Sequence, residues 1–329
     1  MVDMNKKEIV DILNSDDDKL FLIADKIRQE NVGDEVHLRG LIEFSNICKR
    51  NCFYCGLRRD NKNVERYRLD EDEIIKTAKM GVEAGYKTIV LQSGEDEFFN
   101  IKKLTKIVEE IKKFDVALTL SIGEKTKEEY RELKKAGADR FLLRIETTDE
   151  ALYKKFHPNM DFKNRINCLY NLKELGYETG TGSLVGLPYQ TIESLADDIL
   201  FYKKLDSDMV GIGPFIPHPD TPLFGELNEN NFNLALKMMA ITRIMMPKIN
   251  IPATTAMEVI NKDGRMIALK SGANVIMPNI TSKCYKEKYE IYPGKENLNN
   301  KDDNYKKLLE EKIIKMGRAI SKNKGFRKI

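Results

Sequence analysis

The stretch HLRGLIEFSNICKRNCFYCG (residues 37–56) joins a strand-like run to a loop that carries three cysteines. Residues 37–44 form a short, largely apolar run, which is typical of a parallel strand covered on both faces. Cys48, Cys52 and Cys55 follow directly, with three residues between the first two thiols and two between the last two. The stretch therefore predicts a buried parallel strand whose carboxyl end opens into a thiol-rich loop.

Seven further strand-like runs alternate with helical patterns along the chain. The eight runs cover residues 37–44, 87–92, 116–122, 140–146, 177–185, 209–216, 251–256 and 273–278. The helical patterns between them cover residues 70–85, 101–113, 126–136, 162–175, 191–205, 231–246 and 263–271. Eight alternating β and α units predict the α/β class and a (β/α)8 TIM-type barrel, a fold of about 250 residues in its common form.

We expect one domain over residues 1–329, because no linker rich in Pro, Gly or Ser separates the repeating units. Two N-terminal helices (about 5–14 and 16–31) occupy residues 1–35, the barrel residues 36–285, and a C-terminal extension residues 286–329. The extension contains a Lys-rich helix, residues 302–322, which we interpret as a solvated helix face rather than a docking surface.

Polar segments follow all eight strand-like runs. Catalytic groups of TIM barrels lie at the carboxyl ends of the strands, so these segments are predicted to meet at one mouth. Asp, Ser and Gly are also ordinary in caps and turns at such junctions, so the cysteine loop is the segment that indicates function. The others are QSGED (92–96), SIGE (121–124), RIET (144–147), GSLVGLP (182–188), PFIPHPDTP (214–222), TTAM (254–257) and MPN (277–279).

The three thiols are spaced as ligands of an iron–sulfur cluster. A 4Fe-4S cluster is normally held by four Cys thiolates. Three thiolates on one loop would leave one iron open to a cofactor or substrate, as in open catalytic metal sites. Zinc would need a fourth ligand, and the chain has only three histidines. A disulfide framework is typical of short secreted chains. We therefore favour the cluster over zinc and over a chance grouping of cysteines.

The composition of the chain excludes few classes of function. Lys plus Arg number 55 against 52 Asp plus Glu, and a net charge of +3 gives no field for nucleic acid or a membrane surface. No apolar run has the length of a signal peptide or a membrane span. We expect a cytoplasmic protein, because thiols stay reduced there.

Longer strings resemble one known family. The CxxxCxxC loop defines the radical S-adenosylmethionine (SAM) superfamily, and the chain resembles its HydE family of FeFe-hydrogenase maturases from about residue 36 to 294. Biotin synthase and the methylornithine synthase PylB belong to the same wider group. The resemblance lies in IEFSN (42–46), YCGLRRDN (54–61), LQSGED (91–96), GSLVGLP (182–188), VGIGPFIPHPDTP (210–222), IPATTAM (251–257) and GANVIMPN (272–279).

The resemblance implies one 4Fe-4S cluster on Cys48, Cys52 and Cys55, with SAM bound to the open iron. Glu and Arg suit such a site, because a carboxylate binds ribose hydroxyls or an ammonium group and Arg binds a carboxylate. From the residues alone, Arg165 would instead be an exposed helix residue. The positions that match SAM-binding residues of the family are Tyr54, against the adenine, and Ser93, Ser121, Glu146 and Arg165.

The resemblance also implies a substrate cavity in which Arg144 is the catalytic residue. Arg144 and Glu146 are two residues apart on one strand, so both can point into the barrel and neutralise each other. From the residues alone, Thr119 and Met277 would be core residues. The positions that match the family's substrate-binding residues are Gln92, Thr119, Arg144, Thr254, Thr255, Met277 and Tyr292.

Many HydE sequences carry a second iron–sulfur site after a string like YPGK. Here the corresponding segment, residues 296–307, contains no cysteine, so we expect no second cluster.

The resemblance implies an enzyme that cleaves SAM to a 5′-deoxyadenosyl radical and acts on a small iron–carbonyl–cyanide–cysteine complex. Its expected partners are that complex, an electron donor and, transiently, other hydrogenase maturases, with no nucleic acid and no membrane. Two alternatives stay open: an amino-acid mutase of the methylornithine synthase type, and a non-catalytic iron–sulfur carrier. A lysine mutase needs an acidic group beside a basic one, whereas the expected substrate cavity offers Arg144 among neutral residues, which favours an anionic ligand.

Overall fold

A computed structural model describes residues 3–16, 19–226, 230–295 and 305–328. Most of the strands form one six-stranded parallel sheet in the order β2-β3-β4-β5-β6-β8. β2 is buried along its whole length, as expected of a parallel strand covered on both faces. The strands are β1 (Glu35–Leu38), β2 (Gly40–Ser45), β3 (Thr88–Ser93), β4 (Ala117–Ser121), β5 (Arg140–Leu142), β6 (Glu178–Thr181), β7 (Leu184–Val185), β8 (Met209–Val210), β9 (Gly213–Pro214), β10 (Val275–Ile276) and β11 (Ala319–Ile320).

The sheet closes into a barrel through the segment around residue 251. Parallel bridges join Met209 to Asn250 and Pro252 to Val275, and β10 pairs in parallel with β1. β7 and β9 pair with each other and continue β6 and β8 toward the carboxyl ends. The predicted (β/α)8 barrel is therefore confirmed.

Helices surround the barrel, and several begin with a reciprocal cap. At the start of α3, for example, the Asp70 side chain accepts from the Glu73 amide while the Glu73 carboxylate accepts from the Asp70 amide. The helices are α1 (Lys6–Asn14), α2 (Lys19–Val32), α3 (Glu71–Glu83), α4 (Ile101–Lys112), α5 (Lys127–Lys135), α6 (Glu150–Phe156), α7 (Phe162–Glu174), α8 (Ile192–Lys204), α9 (Asn231–Met245), α10 (Thr255–Ile260), α11 (Gly264–Lys270), α12 (Lys283–Lys286) and α13 (Tyr305–Lys315). The N-terminal helices α1 and α2 pack on α8 and α9.

Several sequence-based boundaries are wrong. The strand predicted over 140–146 ends at Leu142, so Arg144 and Glu146 lie beyond it and not on one strand. The seventh predicted strand, 251–256, is reduced to the bridges at Asn250 and Pro252, because α10 already begins at Thr255. The Lys-rich helix predicted over 302–322 ends at Lys315. Beyond it, β11 pairs in parallel with β1, and the chain continues across the barrel.

The tail after β11 seals the amino ends of the strands. The carbonyl of Lys324 accepts from Thr88 Oγ1 at 2.9 Å and from Arg140 Nη2 at 2.7 Å. The next carbonyl, of Gly325, accepts from Arg39 Nη2 and from Asn250 Nδ2, both at 3.1 Å. The lower mouth of the barrel is thus closed by backbone of the chain itself. In the described part of the chain, no helix combines the length and apolarity that a bilayer span requires.

Candidate active site

A cavity of about 360 Å³ lies at the carboxyl ends of the strands. All three loop cysteines open into it, together with most of the predicted cofactor and substrate residues. Side chains that line it include Glu43, Cys48, Arg50, Cys52, Tyr54, Cys55, Gln92, Ser93, Glu95, Ser121, Arg144, Glu146, Met160, Arg165, Phe215, Thr254, Thr255, Met277, Tyr289, Tyr292 and Lys295.

The thiols of the cysteine loop lie in the wall of this cavity. Two backbone amides, of Arg50 and Glu95, donate to Cys48 Sγ at 3.4 Å. Burial raises the pKa of the Cys52 thiol, and it raises that of Cys55 to about 12. Protein groups alone therefore do not stabilise the thiolates, and their deprotonation would accompany the binding of a metal cation. This donor set fits an iron–sulfur cluster.

Gly94 lets the loop after β3 approach the cysteine loop. A Cβ at this position would lie 2.7 Å from Cys48 Cβ and closer still to the Ile47 carbonyl. A larger residue would push the loop after β3 away from Cys48, so the sequence SGED needs its glycine for close packing.

Four charged groups form a network beside the cysteine loop. Arg50 donates to Glu95 Oε2 at 2.6 Å and to Glu124 Oε2 at 2.9 Å. Arg165 donates from Nε to Glu124 Oε1 at 2.7 Å and from Nη1 to the Arg144 carbonyl. Arg165 is buried rather than an exposed helix residue, and its guanidinium faces the cavity. The network fixes two guanidinium groups next to the thiols.

Tyr54 is held by a buried histidine. His157 lies behind it, with Nε2 at 2.8 Å from Tyr54 Oη and Nδ1 at 2.8 Å from the Tyr153 carbonyl. Burial lowers the pKa of His157 to about 3, with Arg165 as a further cause, so the ring is neutral. Its Nδ1–H then donates to the carbonyl, and Nε2 accepts from the Tyr54 hydroxyl. The Tyr54 ring is fixed at the cavity wall.

Arg144 and Glu146 lie just past the end of β5 with incomplete hydrogen bonding. They form an ion pair at 3.2 Å between Nη2 and Oε2, yet Arg144 Nε, Arg144 Nη2 and Glu146 Oε2 make no hydrogen bond. Burial raises the pKa of Glu146, although both Arg144 and Arg165 oppose the shift. Glu146 also has a left-handed backbone, with φ of +67°, which is strained for a residue with a side chain. Unsatisfied polar atoms and local strain at one point are features of ligand sites.

A second ion pair lines the cavity from β2. Lys295 Nζ donates to Glu43 Oε1 and, at 2.9 Å, to the Tyr289 carbonyl. Asn279 Nδ2 donates to Glu43 Oε2 at 2.6 Å. Burial raises the pKa of Glu43, and Lys295 opposes that shift. Sequence reasoning missed this pair, because its two members are 252 residues apart.

The predicted substrate residues differ in where the structure places them. Six of the seven line the cavity: Gln92, Arg144, Thr254, Thr255, Met277 and Tyr292. Thr119 does not line the cavity but is fully buried in β4, with Oγ1 unpartnered. Thr255 is supported from behind by the buried Arg265, whose Nη2 donates to Thr255 Oγ1 at 2.9 Å.

Sequence reasoning also gave no role to Arg50 and Glu124, and it included Glu95 only within the SGED stretch (93–96) expected to help hold the methionine amino group of SAM. Each lies in or next to a segment that follows a predicted strand, so position at a strand end was the available signal. Nothing in the sequence distinguished these charges from ordinary turn residues. The predicted absence of a second cluster concerns residues 296–307, of which 296–304 lie outside the described residues.

Comparison with known proteins agrees with this architecture. Residues 42–202 match the radical SAM superfamily, and residues 212–304 match the Biotin and Thiamin Synthesis associated domain. The [FeFe] hydrogenase maturase subunit HydE of Thermotoga maritima is 56% identical over 94% of this chain and 88% of its own length. The 3-methylornithine synthase of Methanosarcina acetivorans is 35% identical over 79% of this chain and 73% of its own length.

A solved structure supports the fold at high coverage. The crystal structure of methylornithine synthase (PylB) superposes with a TM-score of 0.85 at 26% identity, covering 97% of this chain and 95% of that one. The sequence relatives and this superposition span both the barrel and its flanking segments. The chain belongs to the radical SAM superfamily and, within it, to the HydE family of FeFe-hydrogenase maturases.

Proposed function

We propose that the enzyme acts on a small iron–carbonyl–cyanide–cysteine complex during assembly of the hydrogenase di-iron centre. The observation that carries the proposal is the joining of two features in one cavity: three thiols of one loop, and the Arg144–Glu146 pair with its unpartnered atoms. An Arg with free donors suits an anionic ligand. The 56% identity to a hydrogenase maturase favours this substrate class over others.

Cys48, Cys52 and Cys55 would hold one 4Fe-4S cluster, and SAM would lie between it and the strand ends. Bound together, cluster and SAM supply one-electron cleavage of SAM, which gives methionine and a 5′-deoxyadenosyl radical. Tyr54, held by His157, would orient the adenine. Ser93, Ser121, Glu146 and Arg165 would hold the rest of SAM, and the surrounding barrel would exclude water.

Arg144 would bind the iron complex with its sulfur within reach of the radical. A C5′–S bond would form while the S–Cβ bond of the cysteine breaks, and the cysteine carbon skeleton would leave as a carbon-centred radical. Gln92, Thr254, Thr255, Met277 and Tyr292 would form the rest of the substrate contact. An external electron donor and, transiently, other hydrogenase maturases would be the macromolecular partners. Thr119 would act from beneath this layer, because it does not reach the cavity surface.

The test is SAM cleavage by the anaerobically reconstituted enzyme, followed as release of methionine, because a radical that adds to sulfur is not recovered as 5′-deoxyadenosine. We expect the iron–cysteine complex to raise it above background, L-lysine not to raise it, and Arg144→Ala to abolish the stimulation. Arg131→Ala is a matched control, because Arg131 pairs with Glu128 on the exposed face of α5, away from the cavity. Lysine-dependent formation of methylornithine would overturn the substrate assignment.

A mutase of the methylornithine synthase type is the second candidate, and one observation favours it. The expectation that Arg144 lies among neutral residues is wrong, because Glu43 and Lys295 also line the cavity. The cavity therefore offers acidic and basic groups together, as a lysine mutase would need. The lower identity to methylornithine synthase, 35%, keeps this reaction second.

A further inference from the structure

The Glu43–Lys295 pair lies in the cavity wall and not in the packed core. Lys295 is 5% exposed and Glu43 is fully buried, and both face the same cavity as the thiols. The pair is carried by β2 and by the segment after α12, whereas Arg144 and Glu146 lie in the segment that follows β5. Two strands, β3 and β4, separate β2 from β5 in the sheet. The Glu43–Lys295 pair and the Arg144–Glu146 pair therefore lie on different sides of the cavity.

Glu43 is fixed in position by hydrogen bonds to its backbone and to its carboxylate. Besides Lys295 and Asn279 on the carboxylate, the Glu43 amide donates to Thr281 Oγ1 at 2.8 Å, and the Glu43 carbonyl accepts from Tyr67 Oη at 2.7 Å. These bonds fix the backbone of Glu43, and Asn279 fixes its carboxylate, which sets the position of the ammonium that it binds. Lys295 is therefore presented at a defined point of the wall.

Stability does not explain the pair. Two charges taken out of water carry a desolvation penalty, and replacing a buried ion pair by apolar residues of similar size is often neutral or stabilising. An ammonium at a cavity surface can, however, interact with an anionic group that enters from the cavity side. At the cavity wall the pair can therefore contact a ligand, which it could not do in the packed core.

We propose that Lys295 is a substrate-binding residue that binds an anionic group of the substrate, and that Glu43 is the positioning residue for its ammonium. The inference rests on the proposed function, since the iron–carbonyl–cyanide–cysteine complex supplies two such groups. These are the α-carboxylate of cysteine and the nitrogen of iron-bound cyanide. With Arg144 on the other side, the complex is held between two cations.

The experiment compares the wild type with the double variant Glu43→Gln/Lys295→Met, which leaves no unpaired charge in the wall. Iron content, SAM affinity and melting temperature establish that the variant is folded. The expected result is a ten- to hundredfold rise in the complex concentration that gives half-maximal stimulation, with a much smaller change in maximal rate. Lys288→Met is the matched control, because Lys288 pairs with Glu65 at the protein surface. An unchanged half-maximal concentration in a folded double variant would overturn the inference.

Two single variants separate the roles within the pair. Lys295→Arg keeps the charge and should restore part of the affinity, whereas Glu43→Gln should give an intermediate loss because the ammonium is still present but less fixed. A purely structural pair would change the melting temperature in these variants without a selective effect on half-maximal concentration. That pattern would contradict the positioning role of Glu43.

The source of the anionic group is read from a second complex built on cysteamine, which has no carboxylate. If the affinity ratio of wild type to double variant falls to one with this complex, Lys295 binds the carboxylate; if the ratio persists, it binds the cyanide. A wild type that responds to neither complex would refute the proposed function. The half-maximal concentration of L-lysine would then be measured for the same variants. If it did not differ between wild type and double variant, the role of Lys295 in substrate binding would be refuted as well.

Discussion

Arg140 and Arg144 lie four residues apart, at the amino end of β5 and just past its carboxyl end, and their surroundings differ. Arg140, at the amino end, donates to Glu178, to Thr88 Oγ1 at 3.3 Å and to the Lys324 carbonyl, and it lies over the Phe326 ring. Arg144, at the carboxyl end, leaves Nε and Nη2 without a hydrogen bond. One guanidinium is satisfied by the protein, and the other is available to a ligand.

The contrast extends to the two mouths of the barrel. The lower mouth is closed by residues 319–328, whose backbone carbonyls take up the polar groups of several strands. The upper mouth keeps a cavity with thiols, strained backbone and several ion pairs. This division, with stability at the amino ends and chemistry at the carboxyl ends, is general for TIM barrels. In this protein, variants at each mouth can test this division separately.

The largest effect is expected at the upper mouth from Cys52→Ala. After anaerobic reconstitution, the variant should lose the 4Fe-4S absorbance and all SAM cleavage, because three irons need three thiolates. The wild type should contain about four irons per chain, since one cluster is expected. A variant that keeps its iron would place the ligands elsewhere, and a wild type with about eight irons would reveal a second cluster.

Deleting residues 319–329 should open the lower mouth of the barrel and destabilise the protein. Several buried donors would lose their carbonyl partners, at about 1–3 kcal/mol for each group left unsatisfied. We expect the free energy of unfolding to fall by about 4 kcal/mol, seen as a melting temperature about 6 °C lower. Lys324→Ala is the control, because it removes only a surface ion pair with Asp115 and keeps the carbonyl. A deletion variant as stable as the wild type would show that the tail does not seal the barrel.

The two mouths also differ in how far the sequence predicts them. The strand before Cys48 and the spacing of the thiols are local features, so both were predictable. The tail shows no periodic pattern of apolar residues. It is held by its backbone carbonyls, which accept hydrogen bonds from residues such as Arg140, 184 positions away. The Glu43–Lys295 pair is equally non-local. Thr119 was predicted to line the substrate cavity but does not reach it. The alternation of residues along a strand tells which face a side chain lies on, but not how deep in the barrel it lies.

At the upper mouth, Glu146→Ala should separate SAM binding from cluster binding. Iron content should stay at the wild-type value, because Glu146 is expected to contact SAM and not iron. SAM affinity should fall ten- to a hundredfold, since one charge-assisted hydrogen bond is worth about 1.5–3 kcal/mol. Equilibrium binding of SAM to the reconstituted protein measures this. Unchanged affinity would leave Glu146 as a structural partner of Arg144.

The smallest effect concerns a histidine at each mouth: His157 behind Tyr54, and His37 next to Gly325. Burial lowers the pKa of both to about 3, from an ordinary value of 6.5. Below pH 6.5 the unfolded chain therefore binds protons that the folded chain does not. The stability that each neutral ring contributes is present above pH 6.5 and is lost as the pH falls toward 3.

Between pH 6.5 and 5 this loss amounts to about 2 kcal/mol for each histidine. His37→Gln and His157→Gln should each flatten the decline of melting temperature with acidity relative to the wild type, because glutamine does not titrate. The two variants should differ in function: only His157→Gln should weaken SAM binding, since it alone removes the hydrogen bond to Tyr54. If His37→Gln weakened SAM binding equally, the lower mouth would be coupled to the site, and the division between sealing end and reacting end would not hold.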